Sequence, residues 1–465
     1  MADSHDIGLI AHLMRRAGFG ASREELEMRA AKGYNATVEE LLTPTEDKAA
    51  DQNLLMRYQP ASLLPGGQPP MGNINWMFHL VNTKNPLQEK MALFWHHVFA
   101  TGNSKVDNYD QLLEQIDLFR QHGMGNYRDL LVELAKNPAM IYWLDNQENH
   151  KNAVNENWGR ELLELFSMGQ GNYTEKDVRE ASRAFTGWGI AAKIPRLPYG
   201  RFPWEFEYIA EDHDETDKEF LGHKGNFNGE DIIDIVVQQP ACATFICRHL
   251  YNFFVADEPQ VPSWKIEAPQ DPEAMAIMMK AFRESSFNIT AVLRAMFHAD
   301  FFKRARFNKI KSPAEMVVST LRLVGGEEVP RPQYGTEIAM QPTYMGQDLL
   351  NPPSVEGWHT GKEWINSGSL MSRINFAAEM VGNTQRPGVQ FIVNRIKARG
   401  VLAPEQFVDT ALDLMGPLEI GAQTRKELVD YANEGGELNW SKPDSEERVA
   451  QMLQLIVATR EYQFN

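Results

Sequence analysis

The chain has 465 residues, of which 43% are hydrophobic and 23% are charged, and its formal net charge is −17. This composition is that of a globular protein long enough to bury a large core and hold a deep pocket. The acidic balance argues against binding to DNA or RNA, because Lys and Arg must neutralise the phosphates in such complexes. No run of about 18 apolar residues is present, so the sequence predicts no membrane span.

The N-terminus and the cysteines bear on location. The opening sequence MADSHDIGLIAHLMRRAGFG lacks the basic start, apolar centre and cleavage site of a signal peptide. The default expectation is a cytoplasmic protein, with export alongside a partner as the exception. Cys242 and Cys247 lie five residues apart, on different faces of a helix, which argues against a disulfide or a metal pair. We expect two buried thiols in a reducing compartment.

Most of the chain carries the 3.6-residue spacing of amphipathic helices. We therefore predict a mainly α fold: a large single helical domain with long loops, little β structure and a small C-terminal helical subdomain. One helix is predicted over residues 22–43, with Ser22 as its N-cap and Glu25 at capping-box spacing. Short hairpins are expected within 188–210 and within 326–345, where Pro, Gly and aromatic residues cluster.

The sequence contains one weak boundary. It falls between Gly382 and Gly388, in a stretch rich in turn-forming residues. Residues 1–383 are therefore predicted to form the helical core, and residues 384–465 a C-terminal helical segment that packs on this core. No internal repeat and no low-complexity segment is present.

The helix predicted near 86–100 carries polar residues on faces that should be apolar. Glu89 and His96 lie seven residues apart, nearly in line on the helix and flanked by apolar side chains. Each needs a partner, because an unpaired buried charge is costly. They indicate a metal site or an acid–base pair, or alternatively a buried Glu–His hydrogen bond between helices. Lys90 and His97 are expected on the narrow solvent-facing side, with His97 an ordinary surface histidine.

The helix predicted over 155–168 places two carboxylates close together. Glu161 falls on the apolar side and Glu164 at its edge, so the two side chains face the same way. This spacing suits metal ligation or a carboxylate pair whose pKa values are split. The alternative is that Arg160 forms ordinary i,i+4 ion pairs with Glu156 and Glu164.

Polar residues also concentrate in two loops. The first loop contains Asp145, Asn146, Asn149, Asn152, Asn155, Glu156 and Asn157. Oxygen-rich loops of this kind bind hard cations or sugars, although Asn and Asp also favour turns and helix caps. The second loop runs from His213 to Lys218 and continues to His223, combining acidic and imidazole groups. No HExxH, GxSxG, P-loop or dinucleotide-binding motif is present.

Blocks of residues along the whole chain form a recognisable pattern. The first blocks are His12-Leu13-Met14-Arg15-Arg16-Ala17-Gly18-Phe19-Gly20 and Phe94-Trp95-His96. The most distinctive blocks are Tyr142-Trp143-Leu144-Asp145-Asn146, Asn155-Glu156-Asn157, Arg160-Glu161-Leu162 and Glu164-Leu165-Phe166. Later ones are His213-Asp214, Lys311-Ser312-Pro313-Ala314-Glu315, Gly357-Trp358 and Glu461-Tyr462-Gln463. The pattern resembles the bacterial DUF1800 family over essentially the whole chain.

This resemblance implies one fold for the chain but no reaction, since the family name records none. Many members carry a second histidine two positions after the one that matches His96, where this chain has Val98 and the extra histidine is His97. The resemblance therefore does not support a two-histidine metal site in this helix. The resemblance also implies a DUF1501-like partner protein, because the two families often occur together. It further implies an export signal, which is not recognisable in this N-terminal sequence.

The leading hypothesis is an enzyme with a polar pocket. The expected catalytic residues are His96, Asp145, Glu161 and His213. The expected substrate-binding residues are Asn146, Asn157, Arg160, Lys218 and Trp358. A divalent metal, if bound, is expected on His96, Glu161 and Glu164. The substrate class is polar, a saccharide or a peptide, and the reaction is hydrolysis or another modification, because too many ionisable groups lie among apolar residues for simple packing.

The alternative hypothesis is a non-catalytic ligand-binding or assembly protein with a buried structural network of polar residues. The segment from Trp358 to Trp364 suits carbohydrate stacking as well as it suits packing. In both cases His96 and Glu161 are expected within about one side-chain reach of each other, across two packed helices, because both lie on apolar faces and need partners. Asp145 or His213 is expected to close this shared site.

Overall fold

The computed structural model describes residues 4–46, 71–191, 204–329 and 335–465 of the chain. Helices dominate these residues, so the predicted mainly α fold is confirmed. The helices are α1 (Ser4–Arg16), α2 (Arg23–Lys32), α3 (Tyr34–Leu41), α4 (Met71–Asn82), α5 (Pro86–Val98), α6 (Asn103–Val106), α7 (Tyr109–His122), α8 (Tyr127–Lys136), α9 (Pro138–Trp143), α10 (Asn157–Glu164), α11 (Glu175–Ala184), α12 (Gly229–Val237), α13 (Pro240–Phe254), α14 (Pro272–Glu284), α15 (Ile289–His298), α16 (Asp300–Arg304), α17 (Pro313–Val324), α18 (Gln341–Tyr344), α19 (Ser367–Gly382), α20 (Pro387–Lys397), α21 (Pro404–Leu414), α22 (Ala422–Glu434) and α23 (Ser445–Ala458).

The strands of the described residues form two small antiparallel hairpins. They are β1 (Trp188–Ile190), β2 (Phe206–Tyr208), β3 (Lys218–Phe220) and β4 (His223–Gly225). β1 pairs with β2 and β3 pairs with β4, so the hairpin expected within 188–210 is confirmed. The hairpin expected within 326–345 is wrong for the described residues there, because α18 begins at Gln341 with Pro342 in its first turn. Residues 330–334 lie outside the described residues.

The helix predicted over residues 22–43 is interrupted and forms α2 and α3 instead. Ser22 is the N-cap of α2, as predicted, and its side chain accepts a hydrogen bond from the backbone N–H of Glu25. Gly33 has a φ of 96°, which glycine adopts readily and residues with a side chain rarely do. Because a positive φ interrupts helical geometry, α2 ends there and a new helix begins at the next residue.

Helix α5 is buried on nearly all sides rather than on one face. Every residue of α5 except Gln88 is buried. Lys90, which was expected on the solvent-facing side, is fully buried and forms an ion pair with Glu315 in α17. Its ammonium group also donates to the carbonyl oxygen of Gly18 at 2.9 Å. The expectation was wrong because α17, which lies far away in the sequence, covers this face.

The apolar side chains form two main clusters. The larger one extends from Ile7 to Phe376 and includes residues of α5, α10 and α13. The second joins helices α20 to α23 to residues of α17 and α19, among them Met316 and Val381. The C-terminal segment therefore buries apolar surface against helices that precede the predicted boundary, and the division at residue 383 stays a prediction. Within the residues that the structure describes, no helix has the length and apolar character needed to cross a membrane.

Candidate functional site

A cavity of about 510 Å³ lies between α10, α13 and two loops. This volume is within the usual range of pockets that bind small molecules. One loop contains the short 3₁₀ helix Val261–Lys265, and the other contains Val355 and Glu356. The polar side chains that line the cavity include Glu164, Gln170, Asn172, His249 and Glu356.

Helix α10 holds Glu164 at this cavity and Glu161 one turn before it. The helix is anchored by its buried residues, which are Trp158, Gly159, Leu162 and Leu163. Gly159 allows a close approach to α11, because a Cβ atom there would clash with Oγ of Ser182. At its C-terminal end the N–H of Phe166 donates to the carbonyl oxygen of Glu161 at 2.9 Å, which widens the last turn.

Glu161 and Glu164 lie in different environments. Burial raises the pKa of Glu161 to about 7, the charge of Glu164 adds to the rise, Arg160 opposes it, and Glu356 raises it further. Glu164 accepts a hydrogen bond from the hydroxyl of Tyr173 at 2.8 Å. With its pKa raised to about 7, Glu161 can both hold and release a proton near neutral pH.

The loop that contains Trp264 provides an aromatic wall. The indole ring lies 4.6 Å from the imidazole of His249 and 5.7 Å from the ring of Phe245, measured between ring centroids. The guanidinium of Arg248 lies 4.6 Å from the centroid of Trp264, a cation–π contact. Arg248 is in turn paired with the buried carboxylate of Glu258. This chain of contacts fixes the orientation of the indole ring.

His249 presents a neutral imidazole at the cavity. The residue is 5% exposed, and its Nε2 has no hydrogen-bond partner in the described part of the chain. Burial lowers the pKa of His249 well below its usual value, and His97 and Arg248 lower it further. A polar group of a ligand could form a hydrogen bond with Nε2 and so give this buried atom a partner.

Comparisons with known proteins identify the family but no activity. A family model described as "Protein of unknown function (DUF1800)" matches residues 12–464. The chain belongs to the DUF1800 family. No curated protein and no solved structure matches this DUF1800 chain. The resemblance inferred from the sequence is therefore confirmed over nearly the whole length.

In this DUF1800 chain His96 lies between two tryptophans and not among the residues that line the cavity. Its ring centroid is 5.2 Å from that of Trp76 and 5.4 Å from that of Trp358. Both ring nitrogens are buried without a hydrogen-bond partner among the described residues. Burial, with a smaller contribution from His97, lowers the pKa of His96 to about 3. The site that His96 was expected to share with Glu161 stays a prediction.

The other polar residues of α5 are buried as well. Glu89 forms an ion pair with Arg120, and His96 has no hydrogen-bond partner among the described residues, so the alternative of a buried Glu–His hydrogen bond between helices is wrong for this pair. His97 is 9% exposed, and its Nδ1 accepts a hydrogen bond from the backbone N–H of Trp358 at 3.3 Å. The expectation of a surface histidine was wrong because the loop at Gly357 and Trp358 packs directly over it.

Asp145 and His213 have local partners away from the cavity lining. Asp145 forms an ion pair with Lys105 at 2.8 Å and has a left-handed backbone conformation, with a φ of 57°. His213 is buried, and its Nδ1 donates to the carbonyl oxygen of Thr186 at 2.9 Å. Asp145 and His213 therefore have different neighbours from those of Glu161. Their catalytic roles stay predictions.

The side chains of Asn146 and Lys218 donate hydrogen bonds to backbone carbonyl oxygens. The side-chain amide of Asn146 donates to the carbonyl oxygen of Trp188 at 2.8 Å. The ammonium of Lys218 donates to the carbonyl oxygens of Asp214 and, at 3.1 Å, Thr216. Both side chains are buried, so these contacts hold loops in place. This arrangement matches the structural network of the alternative hypothesis.

Arg160 lies on the solvent-facing side of α10. It forms ion pairs with Glu156 at 3.4 Å and with Glu175 at 2.7 Å. The pair with Glu156 is confirmed, whereas the expected pair with Glu164 is wrong because Glu164 faces the cavity. Asn157 is exposed at the first position of the same helix.

The described residues contain no group of three or more His, Cys, Asp or Glu side chains that could hold a metal ion. The predicted ligand set of His96, Glu161 and Glu164 is therefore not assembled as such a group. Cys242 and Cys247 are buried free thiols in α13, as expected, and burial raises the pKa of both.

Sequence reasoning did not single out His249, Trp264 or Glu356 as cavity residues. A signal existed for His249, because the adjacent polar residues Arg248 and His249 interrupt an otherwise apolar helix. Trp264 follows a loop that contains Pro259 and Pro262, a composition that many surface loops share. Glu356 lies on an exposed loop, where a carboxylate is ordinary.

Proposed function

We propose that this DUF1800 chain is an enzyme that cleaves a saccharide by acid–base catalysis at the 510 Å³ cavity. The observation that carries the proposal is the raised pKa of Glu161, which lies one turn before Glu164, where Glu164 and Glu356 line the cavity. Glu161 lies close enough to Glu164 and Glu356 for their charges to act on it. Carboxyl groups with divided pKa values are typical acid–base pairs, because one keeps its proton while another is ionised.

Glu161 is the proton donor in this proposal. With a pKa of about 7, a substantial fraction of Glu161 is protonated at neutral pH. Its proton passes to the glycosidic oxygen as the bond between that oxygen and the anomeric carbon breaks. Glu356, exposed on its loop, takes a proton from the water molecule that attacks the anomeric carbon. The charge of Glu164, whose carboxylate accepts a hydrogen bond from Tyr173, helps to raise the pKa of Glu161.

The lining of the cavity supports a saccharide over the peptide that the sequence also suggested. The face of Trp264 is a flat apolar surface of the kind on which sugar rings stack. Nε2 of His249 is available to a sugar hydroxyl, because no described residue bonds to it. Gln170 and Asn172 also line the cavity. The amide nitrogen of Gln170 donates to Glu164 and that of Asn172 to the carbonyl oxygen of Met168. The amide oxygen of Asn172 is therefore the acceptor that they offer to a further hydroxyl.

A non-catalytic role has separate support. Asn146, His213 and Lys218 all donate to backbone carbonyl oxygens, which is the behaviour of a structural network. In this second candidate function the cavity binds a sugar without cleaving it, and the chain acts together with the DUF1501-like partner that the family resemblance implied. That partner and the cytoplasmic location both stay predictions.

Hydrolysis of a panel of aryl glycosides and natural oligosaccharides tests the proposal. For a substrate that is turned over, Glu161→Gln should lower kcat by about 10²–10⁴-fold, the usual contribution of a general acid or base. Glu379→Gln in α19 is the matched control, because Glu379 is exposed and outside the cavity lining. Its kcat should equal that of the wild type.

Two outcomes decide against catalysis by this group. A Glu161→Gln protein with wild-type kcat would exclude Glu161 as the proton donor. Saturable sugar binding by the wild type without any hydrolysis would favour the non-catalytic candidate, and Trp264→Ala should then weaken that binding.

A further inference from the structure

A second, smaller cavity lies between α1, α17 and the C-terminal segment. Its volume is about 40 Å³. Arg15 and Lys311 line it together with Ser319, Gly416 and Tyr462, and no carboxylate is among its lining residues. It shares no lining residue with the 510 Å³ cavity, so it is a separate feature of the molecule.

The two cations that line this small cavity are buried without an ion-pair partner in the described part of the chain. Arg15 is 8% exposed and Lys311 is 3% exposed. Nη1 of Arg15 donates to the carbonyl oxygen of Gly416 at 2.7 Å, and Nζ of Lys311 donates to that of Tyr462 at 2.8 Å. Nε of Arg15 is buried and has no acceptor there. A buried, charged N–H group without an acceptor is costly, so this group needs a further partner.

More positive charge lies around the same place. Arg16 and Arg373 are buried. Nε and Nη1 of Arg16 and Nη1 of Arg373 have no acceptor among the described residues. Arg373 also donates to the backbone carbonyl of Lys311 at 2.7 Å. Burial lowers the pKa of Lys311 to about 7, Arg15 and Arg373 lower it further, and Glu315 opposes them.

Three carboxylates of this region are already paired with other cations, whereas Glu461, next to Tyr462, accepts from Gly421 and Thr424. The pairs are Glu315 with Lys90, Asp257 with Lys309, and Glu419 with Arg306. Among the charges that act on Lys311, Arg15, Arg373 and Lys90 are positive and Glu315 is negative, so positive charge predominates around this residue. Such an excess is destabilising unless a counter-charge compensates it.

We propose that the small cavity binds an inorganic anion the size of chloride, held by Arg15 and Lys311. About 10–15 Å³ is enough to admit one water molecule, so the observed 40 Å³ has room for a halide ion. The anion accepts hydrogen bonds from Nε of Arg15 and from the remaining donors of Lys311. Because the lining comes from α1, α17 and the loop at Gly416, the anion joins the N-terminal helix to the C-terminal segment.

Crystals of the full-length protein soaked in sodium bromide locate the site directly. An anomalous peak between Arg15 and Lys311 is the expected result. In solution, protein dialysed into sodium gluconate is titrated at constant ionic strength with chloride or with phosphate while the unfolding temperature is measured. A saturable rise with chloride supports the proposal. A saturable rise with phosphate alone, or the absence of both the anomalous peak and the chloride-dependent rise, would overturn it.

Variants connect the effect to the lining residues. Arg15→Gln should raise the chloride concentration at half-effect by about tenfold or more, because it removes a charged hydrogen-bond donor. Lys311→Arg keeps the charge and should keep the saturable response. Arg425→Gln is the matched control, since Arg425 is exposed and paired with Asp409 on the surface. A wild-type response in Arg15→Gln would show that the anion acts elsewhere.

Discussion

Replacement of Glu161 by Gln should change the way in which stability depends on pH. Burial and the charges of Glu164 and Glu356 raise the pKa of Glu161 from 4.5 to about 7 in the folded chain. A group whose folded pKa is raised contributes stability below its unfolded pKa, and this contribution is lost as pH rises through the folded value. At about pH 4.5 Glu161 is therefore mostly protonated in the folded chain and does not lower the free energy of unfolding. Above about pH 7 it is charged in partly buried surroundings, which lowers the free energy of unfolding.

The magnitude follows from the pKa shift. One pKa unit corresponds to about 1.4 kcal/mol, so a rise from 4.5 to about 7 gives an upper value of about 3 kcal/mol. Glu161 is only partly buried, and solvent screening lowers the expected effect to about 1–2 kcal/mol. Gln has nearly the shape of Glu but no charge, so Glu161→Gln should remove the pH-dependent contribution and little else.

Urea unfolding of both proteins at about pH 5 and about pH 8 measures this effect. The free energy of unfolding of Glu161→Gln, minus that of the wild type, should increase by about 1–2 kcal/mol between the two pH values. Glu379→Gln, which changes an exposed carboxylate, should show no such increase. An unchanged difference for Glu161→Gln would mean that the carboxyl group titrates normally, and its role as proton donor would fail with it.

Three further substitutions test the packing and the cavity. Lys90→Met should lower the free energy of unfolding, measured in urea, by about 3–5 kcal/mol, because it leaves Glu315 buried without its partner. Lys32→Met, which breaks an exposed pair, is the control and should change the free energy of unfolding by less than about 1 kcal/mol. Gly159→Ala should cost about 1–3 kcal/mol in thermal unfolding, because the new methyl group meets α11, and an unchanged Tm would contradict this packing. Trp264→Ala should weaken sugar binding by about three- to tenfold in calorimetry, and equal affinity would exclude stacking on this ring.

Features that depend on nearby residues could be predicted from the sequence. The N-cap at Ser22 requires only a side-chain oxygen and a backbone N–H three residues later. The hairpin formed by β1 and β2 and the helical period of most segments are likewise local properties. The same holds for the pair of Arg160 with Glu156, which lie one helical turn apart.

Features that depend on distant residues could not be predicted in this way. The burial of Lys90 requires Glu315, which lies 225 residues later in the chain. The site was anticipated in part, since Glu161 and Glu164 stood out on an amphipathic helix. Trp264 joins Glu164 in the cavity lining only through the folding of a separate loop. His96 satisfied the same sequence criterion as Glu161, yet the structure surrounds it with tryptophan rings. A polar residue on an apolar face therefore indicates burial, but does not by itself identify its partner.

The contact of Arg248 with Glu258 and Trp264 has a consequence for the kinetics of ligand binding. Two further bonds from Arg248, to the backbone carbonyls of Glu267 and Ala268, fix the loop at its far end. A ligand therefore meets an indole ring that is already oriented, and does not lose affinity to the ordering of a loop. Association should then follow a single exponential whose rate increases linearly with ligand concentration. Arg248→Met should release the loop, slow the association and introduce a second phase that becomes independent of concentration.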